Sequence, residues 1–589
     1  MNNERTSMRK LLTALCVTLA ATFTVGIAGC GGGDDDESGT EGKQGGELII
    51  MDVAGGVDSL DPGYWYYQSD YMELGQTTQR QLFGWEPEKT EPSPDLAEAA
   101  PEISDGGKTT TVKIKSGIKY SPPLQDRTVK TADIKYALER CFLPQVGNGY
   151  ASAYYSDIVG VKQFQNKKAK EISGITTPDD TTLVIKTNKP SGVITTGNAL
   201  AMPCTIPVPK DYAQKHDNKK QSEYGEHQVF TGPYMIQGAD KGTVPRSGYA
   251  PGKTLKLVRN PSWDKSTDFR PAYADKITVN GGNDVSVASR KILSGQSMLS
   301  GDFAAPPAAI LKQGLQSRKE QFSIEPSQGI RYITLNTKVK PLDDVNVRRA
   351  LAAVTDRTSL RLTRGGETLG PLATHFIPPE MPGFEDAGGE AGPGYDFYKS
   401  PTGDVELAKE YMKKAGFKDG MYTGKPLLMI SDNEDPAKST ALAWQDQIEK
   451  IGFKVNHRQV DHAAVISKFC GTPKSNVAFC PTLGWGKDFF DSQSMLDPIF
   501  NGKNIVPSGN VNSAQADDPK INAALDKAAT LTDAGERAKA YGEIDRQLTN
   551  QVYYVNWLWD NQINFTSKNV NGVRNKFNSA WDLTFSSLK

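Results

Sequence analysis

The stretch from Val229 to Asn280 constrains this chain more than any other. It reads Phe230-Thr-Gly-Pro-Tyr-Met-Ile, a polar loop, Leu255-Lys-Leu-Val-Arg-Asn-Pro-Ser-Trp263, then Arg270-Pro-Ala-Tyr-Ala-Asp-Lys-Ile-Thr-Val279. Gly232-Pro233 forms a turn, because glycine tolerates unusual φ and proline fixes it. Leu255, Leu257 and Arg259 alternate with Lys256 and Val258, which predicts a short strand with a mostly apolar face. Asn260-Pro261 ends that strand. Asp275 to Val279 is a second short strand, and after it the composition changes to alternating helix and strand. A strand that leaves one body and enters the next predicts a crossover between two lobes near residue 280.

On these residues the block resembles the signature region of the bacterial extracytoplasmic solute-binding proteins of family 5, the peptide and nickel type. There a Gly-Pro-Tyr strand and an Arg-Asn-Pro-x-Tyr/Trp segment precede the hinge. A second stretch is similar to the same family: Asn336-Thr, then Asp343-Asp344-Val-Asn-Val-Arg-Arg-Ala-Leu, ending Asp356-Arg357. The resemblance implies an α/β, two-lobed periplasmic-binding-protein-like fold of type II (large cluster). An extra subdomain sits in the first lobe and a hinge lies between the lobes. The implied layout is a lipoprotein signal peptide over 1–29, a tether over 30–46 and lobe I over 47–280 with its extra subdomain at about 84–198. Lobe II covers 281–558, and 559–589 return to lobe I.

Composition fits such a protein. The chain has 589 residues, long enough for about two to four domains. Lys+Arg 68 against Asp+Glu 69 argues against a nucleic-acid binder. Arg5, Arg9 and Lys10 precede an apolar run from Leu11 to Ile27, the charge and length of a signal peptide. The run closes Ile27-Ala28-Gly29-Cys30, which resembles a lipobox and implies lipidation of Cys30; ordinary cleavage near Ala28 or a membrane anchor are the alternatives. Two or three acyl chains hold a protein to a membrane where one does not. Residues 31–46 are mostly Gly, Asp, Glu and Ser with almost no apolar side chain, a flexible spacer. No other run of about 18 apolar residues exists. The expected location is the extracytoplasmic face of the cell membrane, held by lipid.

Several elements are legible in order. Glu47–Val53 and Lys108–Lys115 read as strands, and Gln76–Phe83 as a helix. Thr131 N-caps a helix with Ile134, Ala137 and Leu138 on one face. Leu183–Lys186 and Val193-Ile194 are expected to return the chain to the main sheet of lobe I. Val347, Ala350, Leu351 and Val354 follow helical spacing after the capping Asp344; Asp404 opens a helix that Gly416 closes, and Pro519 starts another. Helices alternating with strands predict a mainly parallel sheet in lobe II. Besides Cys16 and Cys30 in the targeting segment, four Cys remain, and three connectivities are open. Cys141–Cys204 and Cys470–Cys480 are the expected pairs, each placed within one lobe by the resemblance.

The resemblance also points to site residues. The family carries Trp, two residues, then Asp where this chain has Gly484-Trp485-Gly486-Lys487-Asp488. In its peptide-binding members that Asp accepts the ligand's α-ammonium. Carried over, Asp488 is the ammonium partner and Trp485 packs beside the ligand, with Gly484 next to them. A charge-assisted bond of this kind contributes about 1.5–3 kcal/mol. The alternative is that Asp488 or Asp491 caps the helix Ser492–Leu496, and capping is the reading for Asp491. Tyr64, Trp65 and Tyr66 follow a Leu60-Asp61-Pro62 turn and suit a cleft wall; the alternative is the core of lobe I. Arg331, Arg361 and Arg364 are candidates for a ligand carboxylate. No Gly-x-Ser-x-Gly elbow occurs, and Gly248 to Thr254 is no phosphate loop. The five His show no metal spacing. No catalytic residue, cofactor or metal is expected. The implied function is capture of a solute, most simply a peptide, for ABC permease subunits, by a monomer that binds no nucleic acid. An oligosaccharide, opine or nickel-complex receptor is the nearest alternative, and a surface hydrolase the remote one.

Overall fold

Lobe I is built on a sheet whose strands run in the order Met298–Ser300, Glu47–Met51, Lys276–Asn280, Thr254–Arg259, Tyr234–Ile236. This computed structural model describes residues 42–589, apart from 53–55, 58, 66–67, 296–297, 302–304 and 508–509. The signal peptide, Cys30, most of the tether and Tyr66 therefore lie outside the described residues. Alternation explains the sheet: Leu48 and Ile50 face inward at full burial, opposite Ile277 and Val279. Leu255 and Leu257 pair with the same two residues from the other side. Period-two patterning thus delivers one continuous apolar face.

The signature glycine has a steric reason. A Cβ on Gly232 would lie 2.6 Å from the carbonyl carbon of Thr78, whose oxygen accepts from the amides of Thr231 and Gly232 at 3.2 and 2.9 Å. The same contact corrects the helix read at Gln76–Phe83. Helical turns run from Gln68 to Thr78 and stop there, with Gln79 extended. The chain then leads into the strand Phe83–Gly84. The helical turns end at Thr78 because its carbonyl, which the next turn would need, accepts from Thr231 and Gly232 instead.

The predicted exit at residue 280 is too early. Asp284 caps the helix Val285–Ser294 through Ser286 and Val287 amides, both at 3.0 Å. The chain then re-enters the lobe I sheet as Met298–Ser300, parallel to Glu47–Met51. Ala288, Ile292 and Leu293 supply the apolar stripe that seats this helix against Met51 and Phe565. The passage to lobe II follows, between Ser300 and Phe322. The return passage, at Phe565–Ser567, is bonded to it through Thr566 N, which donates to Gln321 O at 2.9 Å, and Ser567 N then donates to Met298 O of the lobe I strand at 2.9 Å.

The subdomain of lobe I carries its own sheet, Glu102–Ser104, Thr109–Lys113, Thr182–Lys186 and Ile175–Thr176 in that order. Leu183–Lys186 belongs here and not in the main sheet, since it pairs with Thr109–Val112. Val193-Ile194 lies in a helical turn, Gly192–Thr195. The helix Thr131–Arg140 packs on this core, with Lys130 at the N-cap one residue before the expected cap. Its last residue, Arg140, is buried between Asp61 and Asp217, Nη2 lying 2.7 Å from each carboxylate, and so fixes the Leu60-Asp61-Pro62 turn. A disulfide joins Cys141 to Cys204.

The lobe II sheet runs Val455–Val460, Leu427–Asp432, Phe479–Gly486, Phe322–Leu335, Tyr554–Phe565. The first three strands are parallel, and the last two are each antiparallel to their neighbours. The sheet is therefore mixed where a mainly parallel one was expected. The two added strands begin and end at the lobe passages, so they must run in opposite directions. Ile333 and Leu335 face one helical layer, with Leu351 and Trp444. Ile330 and Tyr332 face the other, with Leu525 and Tyr541. Aspartates cap the helices Val345–Val354, Val405–Lys414, Pro519–Ala528 and Ala534–Gln551 through backbone amides at 2.7–2.9 Å, as N-caps should. A second disulfide joins Cys470 to Cys480. No helix among the described residues is long and apolar enough to cross a membrane.

Candidate functional site

The site grows from the end of the Phe479–Gly486 strand. Gly484, Trp485 and Gly486 pair with Arg331, Ile330 and Gly329. A Cβ on Gly484 would stand 2.9 Å from Ile330 O and 3.0 Å from Arg331 Cδ, so only glycine fits without shifting that neighbour. Beyond Gly486 the chain leaves the ladder, and Lys487, Asp488 and Phe489 are all buried. Ligands of open α/β sheets bind beyond the carboxyl ends of their strands, which is where this segment lies.

Asp488 meets lobe I. The Tyr154 hydroxyl donates to Asp488 Oδ2. Phe489 packs its ring 4.9 Å from the Tyr154 ring. It is fully buried in the aromatic core that also holds Tyr71, Tyr150 and Tyr155. A short segment of lobe II is therefore seated in lobe I. Burial pushes the Asp488 carboxyl up to about 7, and the Tyr154 and Tyr150 hydroxyls pull it part of the way back. In turn burial and the neighbouring Asp488 hold the Tyr154 and Tyr71 hydroxyls protonated well above the usual range. These directions follow from the cost of charge in a poorly hydrated site.

Lys487 turns another way. Its Nζ donates to Gln328 Oε1 at 2.7 Å, and Gln328 Nε2 donates to Glu380 Oε2 at 2.8 Å. Burial pushes the Lys487 ammonium down to about 7, Glu380 opposing. Asp491 accepts the Gln493 amide at 2.8 Å, at the start of the helix Gln493–Phe500. It also binds Arg537 through both oxygens, at 2.7 and 2.9 Å.

The other candidates are dispersed. Trp485 donates from Nε1 to Ser494 O at 2.8 Å and packs on the lobe II core. Tyr64 is partly exposed and lies over Gly147. Trp65 is a core residue and not a cleft wall: it is fully buried, its Nε1 donates to Ser59 O at 2.8 Å, and its ring packs on Gly75. Indole offers the largest apolar area in that run, and the helix Gln68–Thr78 covers it. Arg331 pairs with Asp560 at 2.5 Å and Arg364 approaches the same carboxylate at 3.7 Å. Arg361 bonds Gly370 O and Glu367, both at 3.3 Å. Among the described residues no group of three or more His, Cys, Asp or Glu is placed to hold a metal ion.

Residues 91–506 match the model described as bacterial extracellular solute-binding proteins, family 5 Middle. The chain belongs to this family. Among family 5 relatives, the oligopeptide-binding protein OppA of Bacillus subtilis (strain 168) is 28% identical over 564 residues, covering 92% of this chain and 94% of its own. The glutathione-binding protein GsiB of Escherichia coli is 24% identical over 529 residues, covering 89% and 91%. Solved folds agree. The clavulanic acid biosynthesis oligopeptide binding protein 2 superposes with a TM-score of 0.76 at 24% identity, over 93% of this chain and 96% of that one. DppA from Helicobacter pylori, in complex with the peptide STSA, gives 0.74 at 19% identity, over 93% and 98%.

For lobe I the sequence reading of this family 5 chain points to Tyr64, Trp65 and Tyr66, and it does not single out Tyr150 and Tyr154, the lobe I side chains beside Asp488. Tyr150 and Tyr154 stand one helical turn apart, their rings stacked at 6.2 Å. The i, i+4 aromatic spacing in Tyr150-Ala-Ser-Ala-Tyr154-Tyr155 was the available signal. Nothing local marks Gln328 or Glu380 as partners of Lys487.

Proposed function

We propose that this protein is an extracytoplasmic receptor that traps a peptide between its lobes for delivery to an ABC importer. In this reading Asp488 takes the ligand's α-ammonium, and Gly484, Trp485 and Tyr64 border the bound chain. One observation carries it: a buried carboxylate just beyond the end of a lobe II strand is held by tyrosine hydroxyls of lobe I, and among the described residues no cation pairs with it. An ammonium supplies the missing countercharge in a site where charge-assisted bonds are strong. Relatives named for oligopeptides, and neighbours solved with peptides, support the ligand class. Binding shifts the lobes towards closure, the form a permease reads. The protein binds and releases its cargo unaltered, acts as a monomer, and hangs from the membrane by acyl chains on Cys30.

Titration calorimetry with the tetrapeptide Ser-Thr-Ser-Ala tests the assignment. Asp488→Ala should weaken binding about 10- to 100-fold, the value of a charge-assisted bond, and N-acetylation of the peptide should cost the wild type as much. Equal affinity in the variant would sink the role of Asp488. Incorporation of labelled palmitate that survives Cys30→Ser would remove the anchor.

A further inference from the structure

A second contact joins the lobes, and it leads back to the Asp488 segment. Gly192 opens the helical turn Gly192–Thr195 in the lobe I subdomain. Its amide donates to Ala529 O of lobe II at 3.1 Å. A Cβ at this position would lie 2.0 Å from Arg537 Nη1 and 2.4 Å from Leu531 O. Gly192 is not in a left-handed conformation, since no positive φ is found there. Its backbone would accept a side chain, and only the facing lobe forbids one.

Arg537 organises that facing surface. It is buried near the start of the helix Ala534–Gln551. Nη1 donates to Leu531 O at 2.8 Å and Ala528 O at 3.3 Å, which shapes the loop that receives Gly192. The other edge of the same guanidinium holds Asp491 through Nε and Nη2, and Nη2 also reaches Gln493 Oε1 at 2.8 Å. Asp491 N donates to Phe489 O at 2.8 Å, so the fork fixes the segment that presents Asp488. A planar guanidinium can serve two edges at once, which an ammonium cannot.

We propose that Gly192 and Arg537 form an interlobe latch, with Arg537 a positioning residue that makes seating of the Asp488 segment and docking of the lobe I subdomain one event. The part that concerns ligand retention rests on the peptide-receptor reading; the latch itself does not. Gly192 is glycine because the closed lobes leave no room for a methyl group. Tight retention of ligand then depends on a contact that touches no ligand atom.

Hydrogen–deuterium exchange on the full mature chain tests this, with thermal melting as a control. Amide exchange reports local opening. The segment around Gly192 should be protected in the wild type. In Gly192→Val it should exchange at least about 10-fold faster, a shift of about 1.4 kcal/mol. The helix Thr131–Arg140 and the melting temperature should stay as they were, which a merely structural role of Gly192 would not allow. Arg537→Lys keeps a charge for Asp491 and loses the fork, so it should loosen Gly192 in the same way. If that variant fails to fold, Gly192→Val decides alone. Rapid exchange at Gly192 in the wild type, or equal exchange in wild type and Gly192→Val, would overturn the latch. Tetra-alanine serves as the probe of retention: its dissociation should be about 10-fold faster from Gly192→Val. Failure of tetra-alanine to bind either protein would count against the peptide reading, and exchange would still decide the latch.

Discussion

Replacing Asp488 by asparagine keeps the shape of the side chain and an oxygen for the Tyr154 hydroxyl, and removes the charge. The carboxyl titrates near 3.8 in the unfolded chain and at about 7 when folded, chiefly because it is buried. A group that holds its proton more tightly in the folded state costs nothing below the unfolded pKa. The cost grows as pH rises from 3.8 to about 7 and is complete above that. Roughly three pH units at 1.36 kcal/mol each give about 4 kcal/mol as an upper bound. An unfolding entropy of about 2.1 cal/mol/K per residue gives roughly 1.2 kcal/mol/K for a chain of this length, so the bound corresponds to about 3 °C. Scanning calorimetry of ligand-free protein should find Asp488→Asn melting above the wild type by up to about 3 °C at pH 8, and level with it at pH 4. A difference that is the same at both pH values, or a variant less stable at pH 8, would show that Asp488 is not a carboxylate held out of water, and the argument for an ammonium partner would go with it.

Three further outcomes follow. A peptide whose ammonium binds ionised Asp488 should lose about tenfold in affinity for each pH unit below about 7, with proton release in calorimetry run in buffers of different ionisation enthalpy; a flat profile from pH 5 to 8 excludes the pairing. Replacing Cys470 and Cys480 by alanine together should cost about 2–3 kcal/mol, the entropy of the short loop they close, measured by urea denaturation. Arg140→Met leaves Asp61 and Asp217 buried without their cation and should cost about 3–5 kcal/mol; restored stability in the triple variant with Asp61→Asn and Asp217→Asn would confirm the cause.

The elements that were legible are those in which local physics agrees with the fold. Leu255 and Leu257 alternate because the Thr254–Arg259 strand has one buried face, and Asp344, Asp404 and Pro519 mark helix starts. The boundary at residue 280 was misplaced because nothing local separates a strand that ends a lobe from one followed by a further helix and strand. The place of Met298–Ser300 is set by Glu47–Met51, some 250 residues away. Trp65 was misread for a similar reason: an aromatic run looks the same whether it lines a cleft or fills a core. Asp488 stands out as a candidate because the family's Trp, two residues, Asp spacing recurs at Trp485 and Asp488. Tyr154 is 334 residues from it, and no spacing rule reaches that far.

The two passages between the lobes are hydrogen-bonded to one another, and Phe322 and Phe565 stack at 5.8 Å where they meet. Two separate tethers would let the halves slide, tilt and swivel independently. Laced into a single ribbon, they permit flexing about one line and resist the rest. Each time the jaws come together, Asp488 should therefore return to the same tyrosines in the same register, so that recognition is repeatable although half of it is built on the opposite body.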